Sequence, residues 1–180
     1  MSILSLYNKA RVRAGRAVKD DGGWMLTEGV GAILFYLIMF GTIAGVVYVL
    51  FSSSKLSQMQ QSITSISMQI QGLYAGSSSY SGLDTSLAVK SGLIPKNLIR
   101  GAAAYTPWGG SITLSPGSDV STYRISLAQI SQSDCTKLAT YQLDTWEAVQ
   151  VNGTNISAAQ RVTDAARSCG PNNTITYTGR

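Results

Sequence analysis

The chain has 180 residues, with 14 Lys and Arg, 9 Asp and Glu, two Cys and no His. Without His, Ser-His-Asp catalysis, Cys-His catalysis and His-ligated metal sites are excluded, and two Cys are too few for a four-thiolate zinc site. Residues 1–23 hold five basic and two acidic side chains, whereas the rest holds nine basic and seven acidic. The rest is therefore too weakly and diffusely basic to form a nucleic-acid binding surface.

The first predicted feature in chain order is a polar, basic segment, residues 1–23, which a long apolar run follows. From Gly29 to Phe51 the residues are apolar or small, with a single Thr and no Pro or charge. About 20 such residues are enough for a helix to cross the hydrocarbon core of a membrane. The sequence therefore predicts a membrane-spanning helix, with the basic segment on its cytoplasmic side.

Glu28 lies at the start of this run, after four uncharged residues. A carboxylate costs roughly 2.5 to 3.5 kcal/mol at the centre of a bilayer, less near its surface, and is usually retained because it has a partner. The position of Glu28 therefore predicts a cationic partner.

The pattern around Glu28 resembles the N-terminus of type IV prepilins. A basic leader ends in Gly23, the bulky apolar Trp24 follows, and Glu28 is the fifth residue counted from Trp24. The resemblance implies cleavage between Gly23 and Trp24 and N-methylation of Trp24. It also implies that Glu28 pairs with the Trp24 amine of a neighbouring subunit. The long leader and the Trp at the first mature position are similar to the type IVb branch.

The predicted helix continues beyond Phe51, because Ser52 to Gln71 contain neither Pro nor Gly. Apolar residues recur there at steps of three and four, which is the period of a helix with one buried face. This apolar stripe consists of Leu56, Met59, Ile63, Ile66, Ile70 and Leu73. We expect it to pack onto a globular head; the alternative is a break near Ser52-Ser53-Ser54 that separates two helices.

A loop is predicted over residues 72–82. The sequence after it predicts a small head with an antiparallel sheet and short helices. Alternating apolar residues between turn signals predict four strands, at Ser111–Ser115, Thr122–Ile130, Ala148–Val151 and Thr174–Thr178. Helical patterns cover Leu83–Ser91, Ser133–Trp146 and a segment after Ser157, where Ser157 and Gln160 form a capping box and Val162, Ala165, Ala166 and Cys169 share one face. The order of Gly-rich loop, short helix, Pro107-Trp108-Gly109-Gly110 turn and strand is also similar to a type IVb pilin head.

Cys135 and Cys169 are predicted to form a disulfide, because both follow the apolar run and would be translocated to an oxidising compartment. Closing a loop of about 35 residues contributes roughly 4 kcal/mol in the chain-entropy model. Two unpaired buried thiols are the alternative.

Enzyme-like arrangements are scarce. Asp144 and Glu147 lie three residues apart near a predicted helix end, and an ordinary solvated face explains them better than an acid and base pair. Three N-glycosylation sequons, at Asn152, Asn155 and Asn172, are of a kind that occurs often by chance. We therefore predict neither an enzyme nor a cofactor or metal site.

The sequence is thus interpreted as the major subunit of a type IVb pilus with an α+β fold. Residues 1–23 are the leader, residues 24–74 a long helix, and residues 75–180 the head. Within the helix, residues 24–54 are expected in the membrane and later in the fibre core, and residues 55–74 on the head.

The resemblance also implies partners and a location. The partners are other copies in a helical polymer, the prepilin peptidase and methyltransferase, and the pilus assembly machinery of the bacterial inner membrane. The head would be periplasmic before assembly and extracellular in a fibre that serves adhesion, aggregation or conjugation. The alternatives are a minor pilin, a secretion-system pseudopilin, or a signal-anchored membrane protein.

Overall fold

The computed structural model describes residues 22–180, and along the first helix it describes the side chains of residues 33–40 and of residues from 54 onward. Nearly all of the predicted leader, residues 1–23, lies outside the described residues. The chain divides into two compact units between Leu50 and Phe51. Helix α1 (Gly22–Leu73) contributes its first part to the first unit and the rest to the second.

Within the described residues, no helix meets the length and apolarity that a membrane crossing requires. The predicted span from Gly29 to Phe51 includes many residues whose side chains are not described. The span therefore stays a prediction.

The second unit contains a seven-stranded antiparallel sheet in the order β1-β2-β3-β4-β7-β5-β6. Its strands are β1 (Ile99–Arg100), β2 (Ala103–Tyr105), β3 (Ser111–Pro116), β4 (Tyr123–Ile130), β5 (Ala148–Val151), β6 (Thr154–Asn155) and β7 (Asn173–Gly179). The last strand, β7, pairs with β4 on one side and β5 on the other. The C-terminal residues therefore hold the two halves of the sheet together.

One hydrophobic core joins α1 to one face of this sheet. Among the side chains of α1 that the structure describes, the fully buried ones are Met59, Ile63, Ile66 and Ile70, the centre of the predicted apolar stripe. They share the core with alternate residues of β4 and β7, namely Tyr123, Ile125, Leu127, Ile175 and Tyr177. Leu73, by contrast, is 50% exposed, because α1 ends there and the chain turns into the Gly- and Ser-rich loop.

Three short helices accompany the sheet: α2 (Thr85–Lys90), α3 (Gln132–Ala139) and α4 (Arg161–Ser168). Two 3-10 turns lie at Lys96–Leu98 and Leu143–Thr145. Helix α2 confirms the predicted helix at Leu83–Ser91 in shortened form, and Asp84 caps it by accepting from the backbone N–H of Leu87 at 2.7 Å. The predicted strands at Ser111–Ser115, Thr122–Ile130, Ala148–Val151 and Thr174–Thr178 are confirmed as β3, β4, β5 and β7.

The prediction of one helix from Ser133 to Trp146 was wrong beyond Ala139. The Thr140 hydroxyl donates to the carbonyl of Thr136 at 2.9 Å, which satisfies an acceptor at the end of α3. Gln142 then takes a φ of 47°, a left-handed conformation that a helix cannot continue through. The chain therefore leaves α3 and forms the 3-10 turn.

The predicted capping box was also wrong, because α4 begins at Arg161 rather than directly after Ser157. The Ser157 hydroxyl accepts from the backbone of Ala159, and the Ser157 N–H donates to Asp164. These local bonds compete with a capping box. Val162, predicted to face inward, is consequently 62% exposed.

Ala166, predicted on the same face, is exposed as well, whereas Ala165 and Cys169 are buried. The pattern predicted a stripe along α4, but only the side that carries Ala165 meets the core.

Strands β1, β2 and β6 were not predicted. The Asn152-Gly153 pair, taken as the end of a strand, is a two-residue turn with φ of 52° and 85° that joins β5 to β6. Such a pair of positive φ angles is typical of a tight hairpin.

Ile66→Ala should lower the free energy of unfolding by about 2–5 kcal/mol, because it removes a fully buried side chain from the core. Met68→Ala is the matched control on the same helix, since Met68 is 61% exposed and should change stability by no more than about 0.5 kcal/mol. Denaturant unfolding of the full chain in detergent, followed by near-ultraviolet circular dichroism, checks both. Equal losses in the two variants would contradict this packing.

Candidate functional site

The first unit exposes a continuous apolar surface on α1. We call residues 33–40 the apolar segment; its sequence is Ile-Leu-Phe-Tyr-Leu-Ile-Met-Phe, and each side chain is between 46% and 68% exposed. Eight residues make more than two turns at 3.6 residues per turn, so apolar side chains point in every direction around the helix.

An exposed apolar surface of this kind marks a site that another surface covers. Soluble monomers rarely expose contiguous apolar patches beyond a few hundred Å². A helix that is apolar all round requires surroundings on every side, unlike the one-sided stripe of the head. The apolar segment is therefore a candidate site for contact with lipid or with other helices.

The residues predicted for processing and assembly lie before this segment. Gly23, Trp24 and Glu28 all belong to the helical backbone of α1, and their side chains are outside the described set. Trp24 and Glu28 are four residues apart, so they lie on the same side of the helix. Cleavage, methylation and the Glu28 pairing stay predictions.

In the second unit, polar contacts fix α1 to the sheet beside its buried stripe. The hydroxyls of Ser67 and Tyr123 are hydrogen-bonded at 2.6 Å, and Gln71 Nε2 donates to the carbonyl of Arg180 at 2.8 Å. Burial raises the pKa of Tyr123, and the bond from Ser67 partly opposes that shift. These contacts give α1 a defined rotation and register on the head.

The central strand β7 also ties down α3. Tyr177 is fully buried, and its hydroxyl donates to the carbonyl of Leu138 at 2.8 Å. Burial, and to a lesser degree the nearby Tyr141, holds the pKa of Tyr177 well above its ordinary value of 10.0. The ring of Trp146 packs on Tyr177, with ring centres 5.0 Å apart.

The predicted disulfide between Cys135 and Cys169 is confirmed. Both residues are buried, and their Cα atoms are 5.9 Å apart. The bond joins α3 to the residue that ends α4. The residues between the two cysteines, which include β5 and β6, therefore form a closed loop on the head.

Sequence reasoning missed a hydrogen-bonded pair of asparagines beside this bond, of which Asn173 is buried and Asn152 is exposed. Asn173 is 1% exposed and lies at the start of β7, and Asn152 lies in the β5–β6 turn. Asn152 Nδ2 donates to Asn173 Oδ1 at 3.1 Å. The available signal was the alternation of β7, in which Asn173, Ile175 and Tyr177 all face inward and the first is polar.

Asp134 is a second buried polar residue near the disulfide. It lies in the first turn of α3, where the helix dipole favours a carboxylate. It accepts from Trp108 Nε1 at 3.0 Å and from the Ser131 hydroxyl at 2.8 Å. Trp108 thus connects the β2–β3 turn to the start of α3.

Asp144, which the sequence offered as half of an acid and base pair with Glu147, is paired with Arg161. Arg161 donates to the two carboxylate oxygens at 3.2 and 3.3 Å. Both side chains are exposed, and a surface pair of this kind contributes about 0–1 kcal/mol to stability. The pair joins the 3-10 turn to the start of α4.

The comparisons with known proteins agree on one family. The family model described as PilS N terminal matches residues 53–180. The major structural subunits of the bundle-forming pilus from Escherichia coli O111:H- and from Escherichia coli O127:H6 (strain E2348/69 / EPEC) are each 30% identical to the chain over 132 residues. In both cases the match covers 69% of this chain and 67% of the relative.

Two solved structures share the fold. The crystal structure of the type IV b pilin from Salmonella typhi matches with a TM-score of 0.55 and 19% identity, over 69% of this chain and 97% of that one. The structure of TcpA, a type IV pilin from the Vibrio cholerae El Tor biotype, matches with a TM-score of 0.52 and 12% identity, over 71% and 99%.

Above pH 10, Tyr177 should make the head less stable. The hydroxyl of Tyr177 releases its proton near pH 10 in the unfolded chain, whereas burial raises its pKa in the folded chain and keeps the proton in place. The contribution of this group to the free energy of unfolding is therefore complete below pH 10 and is lost as the pH rises toward the folded pKa. The expected slope from this residue is about 1.4 kcal/mol per pH unit. Denaturant unfolding at several pH values measures it.

Tyr177→Phe should lower the free energy of unfolding by about 1 kcal/mol at neutral pH, because the hydrogen bond to the carbonyl of Leu138 is lost. Above pH 10, the free energy of unfolding of this variant should fall less steeply with pH than that of the wild type. Tyr105→Phe, at a half-buried position, is the matched control and should keep the wild-type decline. An unchanged decline in Tyr177→Phe would contradict the assignment.

Proposed function

Since the chain belongs to the PilS N-terminal family and is a type IVb pilin, we propose that it is the major structural subunit of a pilus. The relatives in Escherichia coli are named as major structural subunits of a bundle-forming pilus, which supports a major rather than a minor subunit. The observation that carries the proposal is the apolar segment of α1, residues 33–40. A polymer of such helices would cover it.

Fibre formation buries the apolar segment between neighbouring helices. Full burial of a large apolar side chain contributes about 1.5–3 kcal/mol. Eight such residues therefore disfavour exposure of the segment to water by on the order of 10 kcal/mol per subunit even when burial is partial. Lipid and the fibre interior both meet this requirement, so helix packing and specific polar contacts decide the exchange of one for the other.

Before assembly, lipid covers the same surface. In the proposed pathway residues 24–54 cross the inner membrane, with the basic leader in the cytoplasm and the head in the periplasm. The disulfide of the head is consistent with that oxidising compartment. Extraction from the membrane then exchanges lipid for the helices of other subunits.

Glu28 sets the register in this proposal. Apolar surfaces slide against one another at little cost, whereas a single buried charge that needs one partner specifies one arrangement. The partner would be the amine of Trp24 on a neighbouring subunit. That amine exists only after the prepilin peptidase cuts between Gly23 and Trp24, so processing permits pairing; methylation of the same nitrogen by the methyltransferase keeps it cationic.

The pilus would extend from the cell surface and serve adhesion, aggregation or conjugation. A minor pilin or a pseudopilin would share the N-terminal region but occupy few positions in a fibre. The amount of this chain in sheared surface fibres separates these functions, because a major subunit makes up most of the fibre mass.

Glu28→Gln should leave the protein in the membrane with its leader removed and should reduce surface fibres at least about tenfold, since a buried pair worth about 1.4 kcal/mol per contact is lost. Quantification of sheared fibres and the intact mass of the membrane pool measure the two effects.

Glu147→Gln is the matched control, because Glu147 is an exposed carboxylate on the head and its loss should leave fibre yield unchanged. Normal fibres from Glu28→Gln cells would contradict the register role. A membrane pool that retains residues 1–23 in wild-type cells would instead favour a signal-anchored membrane protein.

A further inference from the structure

We propose that Asn152 and Asn173 are positioning residues for the disulfide. They hold the backbone on both sides of Cys169 opposite Cys135 whether or not the S–S bond is present. Formation of the bond within one chain then depends on these two amides. Both asparagines belong to the head, so this role is independent of how the N-terminal helix assembles.

Asn173 uses its whole side-chain amide in this arrangement. Its Nδ2 donates to the carbonyl of Ile130 at 3.0 Å and to the carbonyl of Gly170 at 2.7 Å. Its Oδ1 accepts from the N–H of Gly170 at 2.7 Å and from Asn152 at 3.1 Å. An amide side chain has two donors and two acceptor sites, so Asn173 is fully satisfied while 1% exposed.

Asn152 holds the other side of Cys169. Its Nδ2 also donates to the carbonyl of Ser168 at 2.9 Å, and its Oδ1 accepts from the N–H of Thr174 at 2.9 Å. Its φ of 52° is a left-handed conformation that Asn adopts more readily than most residues. The tight β5–β6 turn therefore points this amide at the end of α4.

Together, the two amides bind the residues directly before and after Cys169. The backbone of Cys169 itself is also hydrogen-bonded, because its N–H donates to the carbonyl of Ala165 and its carbonyl accepts from Gln132 Nε2 at 3.5 Å. On the other side, Ile130 leads directly into Ser131 and α3, which carries Cys135. The contacts thus connect both cysteine-bearing segments without involving sulfur.

Placement of the thiols matters because of how the bond forms. The thiolate of one cysteine attacks a disulfide donor, which gives a mixed disulfide and releases one thiol. The second thiolate then attacks the mixed disulfide, closes the bond between Cys135 and Cys169, and releases the second thiol. Two electrons pass from the two cysteines to the donor.

The second attack competes with attack by a thiol of another molecule. For cysteines on a flexible loop the effective concentration of one thiol at the other is in the millimolar range, and fixed placement raises it by orders of magnitude. With the amides in place, most molecules should form the Cys135–Cys169 bond within one chain. Without them, a larger fraction should end as mixed disulfides or as disulfides between two chains.

The test measures the effective concentration of the two thiols. Full-length protein in detergent is equilibrated under native conditions with reduced and oxidised glutathione, and the reduced, mixed and bridged forms are quantified after acid quenching. Asn173→Ala should lower the effective concentration at least about tenfold and increase chain-to-chain disulfides, because it removes four hydrogen bonds. Asn172→Ala is the matched neighbouring control, since Asn172 is exposed, and should behave as wild type.

Ile66→Ala separates positioning from general stability. It weakens the core without touching the amides, so the effective concentration in the folded protein should stay at the wild-type value. Loss of the near-ultraviolet circular dichroism of reduced Asn173→Ala would mean that this variant has unfolded. In that case the effective concentration is measured in Asn152→Gly instead, because Gly tolerates the positive φ and the substitution removes only the side-chain amide.

A wild-type effective concentration in the folded asparagine variants would overturn the proposal. So would an equal fall in Ile66→Ala, since the effect would then belong to stability in general.

Discussion

Helix α1 has to satisfy two different surroundings along one backbone. Over residues 59–70 it buries a single stripe in the core of the head. Over residues 33–40 it exposes apolar side chains in every direction. A sheet face can cover the stripe, but only an environment that encloses the helix can cover the apolar segment. Lipid and a bundle of like helices are two such environments, and the proposed assembly pathway passes through both in turn.

The fold of the head depends on its C-terminal strand, β7. Strand β7 lies between β4 and β5, so the sheet closes only when residues 173–179 are in place. The same strand supplies Asn173 and Tyr177, which bind the segments around Cys169 and the end of α3. Pairing over such long sequence separations is slow to form. Once formed, however, it couples the sheet, the disulfide and the short helices in one unit.

Sequence patterns predicted the features that repeat over many residues. The stripe of α1 follows the helical period, and β3, β4 and β7 alternate cleanly, so their burial was predictable. The disulfide followed from compartment and cysteine number. Strands of two or three residues, such as β1 and β6, are too short to show a period. The end of α3 depends on the left-handed Gln142, and the start of α4 on local bonds of Ser157, neither of which the pattern signals.

The roles of the residues predicted for processing and assembly rest on the sequence alone. Gly23, Trp24 and Glu28 were identified through a family resemblance, and the family match spans residues 53–180. A density map of the intact fibre at side-chain resolution tests the central claim most directly. The account predicts that residues 33–40 are enclosed by neighbouring helices and that the Glu28 carboxylate lies within hydrogen-bonding distance of the Trp24 nitrogen of another subunit. A fibre in which the apolar segment faces solvent, or in which Glu28 meets no amine, would contradict it.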